Sequence, residues 1–353
     1  MNISLGNRKL DYSKVHIVLE AGPTHTGLKS AKDLVDIAVE AGADSIKFQQ
    51  MDAERIMADK KILFEYTYLK KTNNGLEYVP FKEPLYDILK RRKLTNNEWS
   101  ELKKYCDKKD IHMFTTACYK DEVDFFVDEL KIDSIKVNSS DISQLDLIRY
   151  IARKGVNIQL DTGSSELWEI ERAICSIEDE GNKNIIIHHC PSGYPAHLES
   201  IHLRMIHTLK TMFPNYLVAF SDHSPGWEMD IAAVSLGAGM IEKTITKDRF
   251  IKSCEHSFSI EKNEIKLFIK AIRNLEIALG EKRRTLVSEV REKRVVGRRS
   301  PYAIRRIEKG EIIKAKDFEF KRPGKGVSED EFKILLGKKT LKVILKDEFL
   351  SNE

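Results

Sequence analysis

Leu217-Val218-Ala219-Phe220-Ser221-Asp222-His223-Ser224 decides how the chain is read. Four mostly apolar residues of strand type run straight into a cluster of polar, ligand-grade side chains. A strand covered on both faces is continuously apolar, because neither face meets water. This one then delivers a hydroxyl, a carboxylate and an imidazole to a single edge. Seven more segments share the design: Val15–Gly22, Asp44–Gln50, His112–Tyr119, Ser134–Asp141, Val156–Gly163, Ile185–Cys190 and Met240–Thr246. Stretches of helical periodicity alternate with them, such as Ser30–Ala41 with Ala31, Leu34, Val35 and Ala38 on one face. Eight strand–helix repeats with reactive groups at the strand ends predict an α/β fold, a (β/α)8 or TIM barrel whose chemistry sits at the C-terminal mouth.

The period ends near Gly280, so residues 1–280 are expected to form the barrel domain. Residues 281–299 are basic and lack both an apolar period and aromatics, which predicts a solvated linker. Residues 300–353 carry short apolar pieces between Gly/Pro turns, which predicts a small β-rich domain near the lower size limit for an independent core. Residues 1–14 read as a lead-in, a hairpin closing the barrel bottom. The connection from 51 to 95 is long for a βα loop and rich in aromatics and lysine, as expected of a lid over the mouth.

Composition is that of an ordinary soluble protein, with 32% charged and 41% hydrophobic residues. A net charge of +4 over 353 residues does not argue for a nucleic-acid partner. The five cysteines form no CxxC pair and read as reduced thiols of a cytoplasmic protein. The opening residues lack an apolar signal core, and no run approaches membrane-spanning length.

Glu20 closes the first strand, with His25 just beyond it. Lys47 and Lys136 stand inside otherwise apolar strands. A buried ammonium is costly without a partner, so two in one barrel mouth point to an anionic ligand, a phosphate or carboxylate. Thr115, Thr116, Ser139, Ser140 and Ser221 add hydroxyl donors. His188, His189, His223 and His256 are candidate acid–base groups or metal ligands, although no HxxxH spacing is present; Asp222 is placed to orient His223. Cys190 reads as an inert core thiol.

Several blocks then stand in a familiar order. They are Glu20-Ala21-Gly22 with His25 and Gly27, Lys47-Phe48-Gln49, Lys136 with Ser139, Thr162-Gly163, His189-Cys190 with Tyr194-Pro195, Ser221-Asp222-His223, and Lys321-Arg322-Pro323-Gly324-Lys325-Gly326. The chain resembles the sialic acid synthase (N-acetylneuraminate synthase) family over essentially its whole length, its tail resembling that family's antifreeze-like SAF domain. The resemblance implies a TIM barrel plus SAF domain, and condensation of phosphoenolpyruvate with a sugar aldehyde to a nonulosonic acid and free phosphate. It implies that Lys47, Thr116, Lys136, Ser139 and Ser221 hold phosphoenolpyruvate and that Gln49, Tyr194 and Glu255 face the sugar. It further places Glu20 at the reacting carbons to handle a proton, and His223 on a divalent metal, manganese or magnesium. Arg322 would reach the sugar of a partner subunit across a domain-swapped homodimer.

The sequence departs from the family pattern at Thr244, where the second metal histidine is expected. It also departs at Asp141 (for Glu), Ser192 (for an asparagine of the phosphoenolpyruvate site), Glu255 (for Asp) and Thr24 (for Asn). Two rival readings follow from the residues: an aldolase using Lys136 as a Schiff base, and a non-catalytic sugar- or nucleic-acid-binding relative.

Overall fold

The structure, a computed structural model, describes residues 3–73, 75–281 and 283–352. Met1 and Asn2 of the expected lead-in and Lys282 of the expected linker lie outside them. The chain divides into two compact units, 1–280 and 281–353.

In the first unit eight strands stand side by side in parallel: β1 His16–Glu20, β2 Ser45–Phe48, β3 His112–Thr116, β4 Ser134–Val137, β5 Asn157–Asp161, β6 Ile185–His189, β7 Leu217–Asp222 and β8 Met240–Thr246. Each pairs with its neighbour in sequence, and β8 pairs with both β7 and β1, so the sheet closes. Every predicted strand segment is present in register. Helices cover the outside and share one core with the strands. Local chemistry sets their ends: Gly42 in the left-handed conformation stops Leu28–Ala41, and a Thr95/Glu98 capping box starts Asn96–Lys108. Below, the hairpin Ile3–Leu5/Arg8–Leu10 buries Leu5 and Leu10. Gly6 N donates to Asp133 at 2.7 Å and Asn157 donates to Ser4 O at 2.9 Å, which ties the hairpin to the N-terminal ends of β4 and β5.

The long segment after β2 is built rather than slack. It holds the short helices Ala53–Ile56 and Leu85–Lys90 and an antiparallel hairpin, Leu63–Thr72 with Gly75–Pro84. Tyr66 anchors the hairpin: its ring is buried edge-on to Phe81, and its hydroxyl donates to Glu83 at 2.7 Å.

The second unit pairs Ser300–Ala303 antiparallel with Phe318–Lys321 around Ala303, Ile307, Ile313, Phe318, Val327, Phe332, Ile344 and Leu350. Two helices go beyond the expected turns and strands. Glu329–Leu335 starts on a Ser328/Glu331 capping box, and Ser288–Gly297 in the basic stretch buries none of its residues. Among the described residues no helix is long and apolar enough to cross a membrane, and all five cysteines are free thiols.

Candidate active site

Strand alternation sends Lys47, Lys136, Glu242 and Ser221 into the barrel, where they meet. Lys136 Nζ donates to both oxygens of Glu242 at 2.8 Å and to Ser221 Oγ at 3.0 Å, and lies 3.0 Å from Asp161 Oδ1. Lys47 Nζ donates to Glu242 at 2.9 Å and is ion-paired with Glu20. The two lysines predicted to converge therefore do so, joined by a carboxylate that the sequence reading passed over. Glu242 carries most of the counter-charge. Burial opposes its ionisation, but the two ammonium groups outweigh burial and hold its carboxyl well below the usual range. Burial also opposes the charge on Lys47, yet Glu20 and Glu242 keep its ammonium well above the ordinary lysine value. Glu20 goes the other way. Burial raises its carboxyl to about 7, with Lys47 pulling back and the Glu242 charge pushing further up. A carboxyl near 7 exchanges protons at neutral pH.

Beneath this cluster runs a polar chain with a defined direction. His188 is fully buried, and burial followed by the Lys136 charge holds it neutral. Its Nε2–H donates to Gln159 Oε1 at 2.9 Å, which leaves Nδ1 to accept from Ser221 at 2.9 Å. Gln159 in turn donates to Ser134 at 2.9 Å. The chain fixes the Ser221 lone pair toward Lys136. The sequence reading names His188 as a candidate acid–base group or metal ligand, whereas the structure gives it a neutral, positioning place in this chain; Gln159 has no role in that reading.

Two glycines keep the mouth open. A Cβ on Gly22 would meet Gln49 N at 2.6 Å and Glu20 Oε1 at 2.7 Å; one on Gly163 would meet Cys190 O at 2.7 Å and Ser192 Oγ at 3.1 Å.

Above the cluster opens a cavity of about 680 Å3, lined among others by Lys47, Gln49, Ser139, Asp141, Asp161, Tyr194, His223, Glu242 and Glu255. The segment after β2 supplies an apolar wall of Met51, Ile56, Phe64, Leu85, Ile88 and Leu89, together with Arg92. Tyr194, next to a cis Tyr194–Pro195 bond, packs with its ring tilted against His223 at 4.9 Å and against Phe64 at 5.7 Å between centroids. Gln49 donates to Glu20 at 3.4 Å. Some expected residues lie off the cavity wall. Thr116 is buried and engaged in both directions with the Gln50 backbone, at 3.0 and 3.1 Å. Ser192 bonds Ser164 at 3.0 Å.

Asp222 does not orient His223. It points out of the barrel, accepting from Ser224 and pairing with buried Lys243, which also lies 3.4 Å from Asp230. His223 instead donates from Nδ1 to the Pro191 carbonyl at 3.1 Å. Alternation explains the correction: with Ser221 facing inward, its neighbour Asp222 must face the helix Glu228–Ser235.

The resemblance places a divalent ion on His223. Thr244 pairs in register with Glu20 and offers only a hydroxyl, while His256 is turned to Thr246 at 2.8 Å. Among the described residues no three His, Cys, Asp or Glu side chains gather as a metal site. This donor set does not fit a resident ion.

A closed parallel barrel with ion-paired lysines buried under the C-terminal ends of its strands is a TIM-barrel protein with a charged site at its mouth. The chain belongs to the NeuB family, which residues 34–284 match; residues 298–353 match the SAF domain. It is 33% identical over 341 residues to the N,N'-diacetyllegionaminic acid synthase of Campylobacter jejuni, covering 96% of this chain and 99% of that protein. It is 30% identical over 342 residues to the N-acetylneuraminate-9-phosphate synthase of Homo sapiens, covering 96% and 91%. Among solved structures, the N-acetylneuraminic acid (sialic acid) synthetase of Leptospira borgpetersenii in complex with citrate superposes with a TM-score of 0.71 at 27% identity, over 83% of this chain and 95% of that one.

Proposed function

We propose that this protein condenses phosphoenolpyruvate with the aldehyde of an open-chain sugar, forming a nonulosonic acid and inorganic phosphate. The observation that carries the reading is the Lys47–Glu242–Lys136 bridge under the cavity. Two buried ammonium groups share one carboxylate there, so an incoming multiply charged anion can take over lysine contacts that Glu242 holds in its absence. Ser139 on the wall and Ser221 below add hydroxyls. In the reaction C3 of the enol attacks the aldehyde carbon, and the resulting alkoxide takes a proton. Water adds to C2, and phosphate departs by C–O cleavage. Glu20, paired with Lys47 and held near pH 7, is the group suited to supply that proton.

The Schiff-base alternative is disfavoured by the same geometry. Such a lysine must be a free amine, whereas Lys136 is ion-paired with both Glu242 and Asp161. The test is release of inorganic phosphate from phosphoenolpyruvate across a panel of N-acylated hexosamines and their deoxy derivatives. Turnover dependent on one of them supports the proposal. Silence across the panel, with borohydride trapping pyruvate on Lys136, would replace it with the aldolase.

A further inference from the structure

Arg92 has no part in the chemistry above, yet it lines the same cavity as Lys47 and is only 9% exposed. A guanidinium presents five N–H donors in a rigid fork. The side-chain contacts of Arg92 among the described residues are loose: Nη2 donates to the Cys254 carbonyl at 3.5 Å, the guanidinium also meets the Cys254 thiol, and Nη1 lies 3.9 Å from Glu255 Oε1. Most of its donors are unspent beside the cavity. Glu255 is fixed on the other side of that gap. Its backbone sits at φ +75°, a costly region for a residue with a side chain, and its carbonyl is held by Ser259 Oγ at 2.5 Å. His25 and His256 add no positive charge, since burial first and Arg92 second lower each to about 4.

Of the other charges around the cavity, Asp141 accepts from the neutral Asn138 and Cys118 side chains. Lys47 is paired with Glu20 and Glu242, and Asp161 with Lys136. We propose that Arg92 and Glu255 select an uncharged acceptor by holding one sugar hydroxyl between them. The hydroxyl oxygen accepts from the guanidinium, and its proton is donated to the carboxylate. An oxygen about 2.8 Å from each partner spans a 3.9 Å gap without moving either. A phosphate ester cannot take this place, because a dianion would face the fixed Glu255 carboxylate to reach Arg92. The inference rests on the synthase reading and settles a point on which the relatives differ, since the human protein's name specifies a 9-phosphate and the Campylobacter one does not.

The experiment measures kcat and KM of the full-length protein for N-acylated hexosamines and for their 6-phosphate esters. Phosphoenolpyruvate affinity is followed separately by calorimetry. The neutral sugars are expected to be preferred by at least about tenfold. Arg92→Met should raise acceptor KM by about ten- to a hundredfold, the range of one hydrogen bond to a charged group, with phosphoenolpyruvate affinity unchanged. Arg92→Lys should recover part of the loss. Glu255→Gln, which removes the repelling charge, should narrow the gap between neutral and phosphorylated acceptors. Preference of the native protein for the esters would overturn the inference alone. So would an acceptor KM indifferent to Arg92→Met, or a loss confined to phosphoenolpyruvate binding. Absence of turnover with either class would overturn the synthase reading and the inference with it.

Discussion

Replacing Glu242 by glutamine tests the centre of the site, because the side chain keeps its shape and loses only its charge. Three contacts of 2.8–2.9 Å tie the carboxylate to Lys47 and Lys136, all within the buried interior. Removing one partner of a buried ion pair costs about 3–5 kcal/mol, since the remaining charge is left without compensation. Here two ammonium groups are left with Glu20 and Asp161 alone. For a domain of this size about 2 °C accompanies each kcal/mol, so the melting temperature of Glu242→Gln should fall by about 6–10 °C. The ligand should then act as the missing anion. Phosphoenolpyruvate at a hundredfold its dissociation constant stabilises a protein by about 2.7 kcal/mol. At equal ligand concentration it should raise the melting temperature of the variant more than that of the native protein, because it no longer competes with Glu242 for the lysines. Differential scanning calorimetry with and without phosphoenolpyruvate reads both quantities. A variant melting within 2 °C of the native protein, or gaining no more from the ligand, would falsify the claim that Glu242 stands in for the bound anion.

Three further outcomes follow from the same cluster. Glu20→Gln should abolish the limb of the pH–rate profile near 7, where the native activity declines as the proton is lost. The raised carboxyl favours the protonated native state, so its stabilising effect is complete below about 4.5 and fades as pH rises through about 7. The native protein should therefore lose about 3 kcal/mol relative to Glu20→Gln across that window, as urea titrations at both ends would measure. Lys136→Met should weaken phosphoenolpyruvate at least about a hundredfold by calorimetry, the loss of a charge-assisted contact in a site shielded from water; unchanged affinity would remove the anion from this floor. Thr244→His sets an imidazole at the rung of Glu20 and should create manganese binding detectable by titration. No gain would mean that the geometry around His223 bars an ion even when the second donor is supplied.

The barrel is legible because each strand is covered on both faces and therefore apolar throughout, so a lysine inside one is conspicuous. That exposed Lys47 and Lys136. The same logic points to Glu242, because two buried ammonium groups require a buried carboxylate and Glu242 has the inward parity on β8. Arg92 was hidden by its setting, Lys90-Arg91-Arg92-Lys93, which reads as a solvated charge run. Its neighbour Arg91 is indeed turned to the surface pair with Glu83. The hairpin after β2 has a turn signal in Asn73-Asn74-Gly75, but its strands are largely polar and include Pro80, so their alternation is faint. Asp222 misled because adjacency in sequence was read as adjacency in space, where a strand places neighbours on opposite faces.

These successes and failures follow how tightly each feature is constrained. The lysine–carboxylate cluster is mutually dependent: deleting any member leaves a buried charge, so its residues must appear together and can be inferred from one another. A ligand contributed by His223 at the cavity wall carries no such penalty, because the loss of its partner leaves only a partly exposed ring hydrogen-bonded to Pro191. The anion floor can thus stay fixed while the groups above it change. In this chain that freedom shows at Thr244, and again on the wall after β2, where Arg92 and the apolar side chains shape the space left for the acceptor.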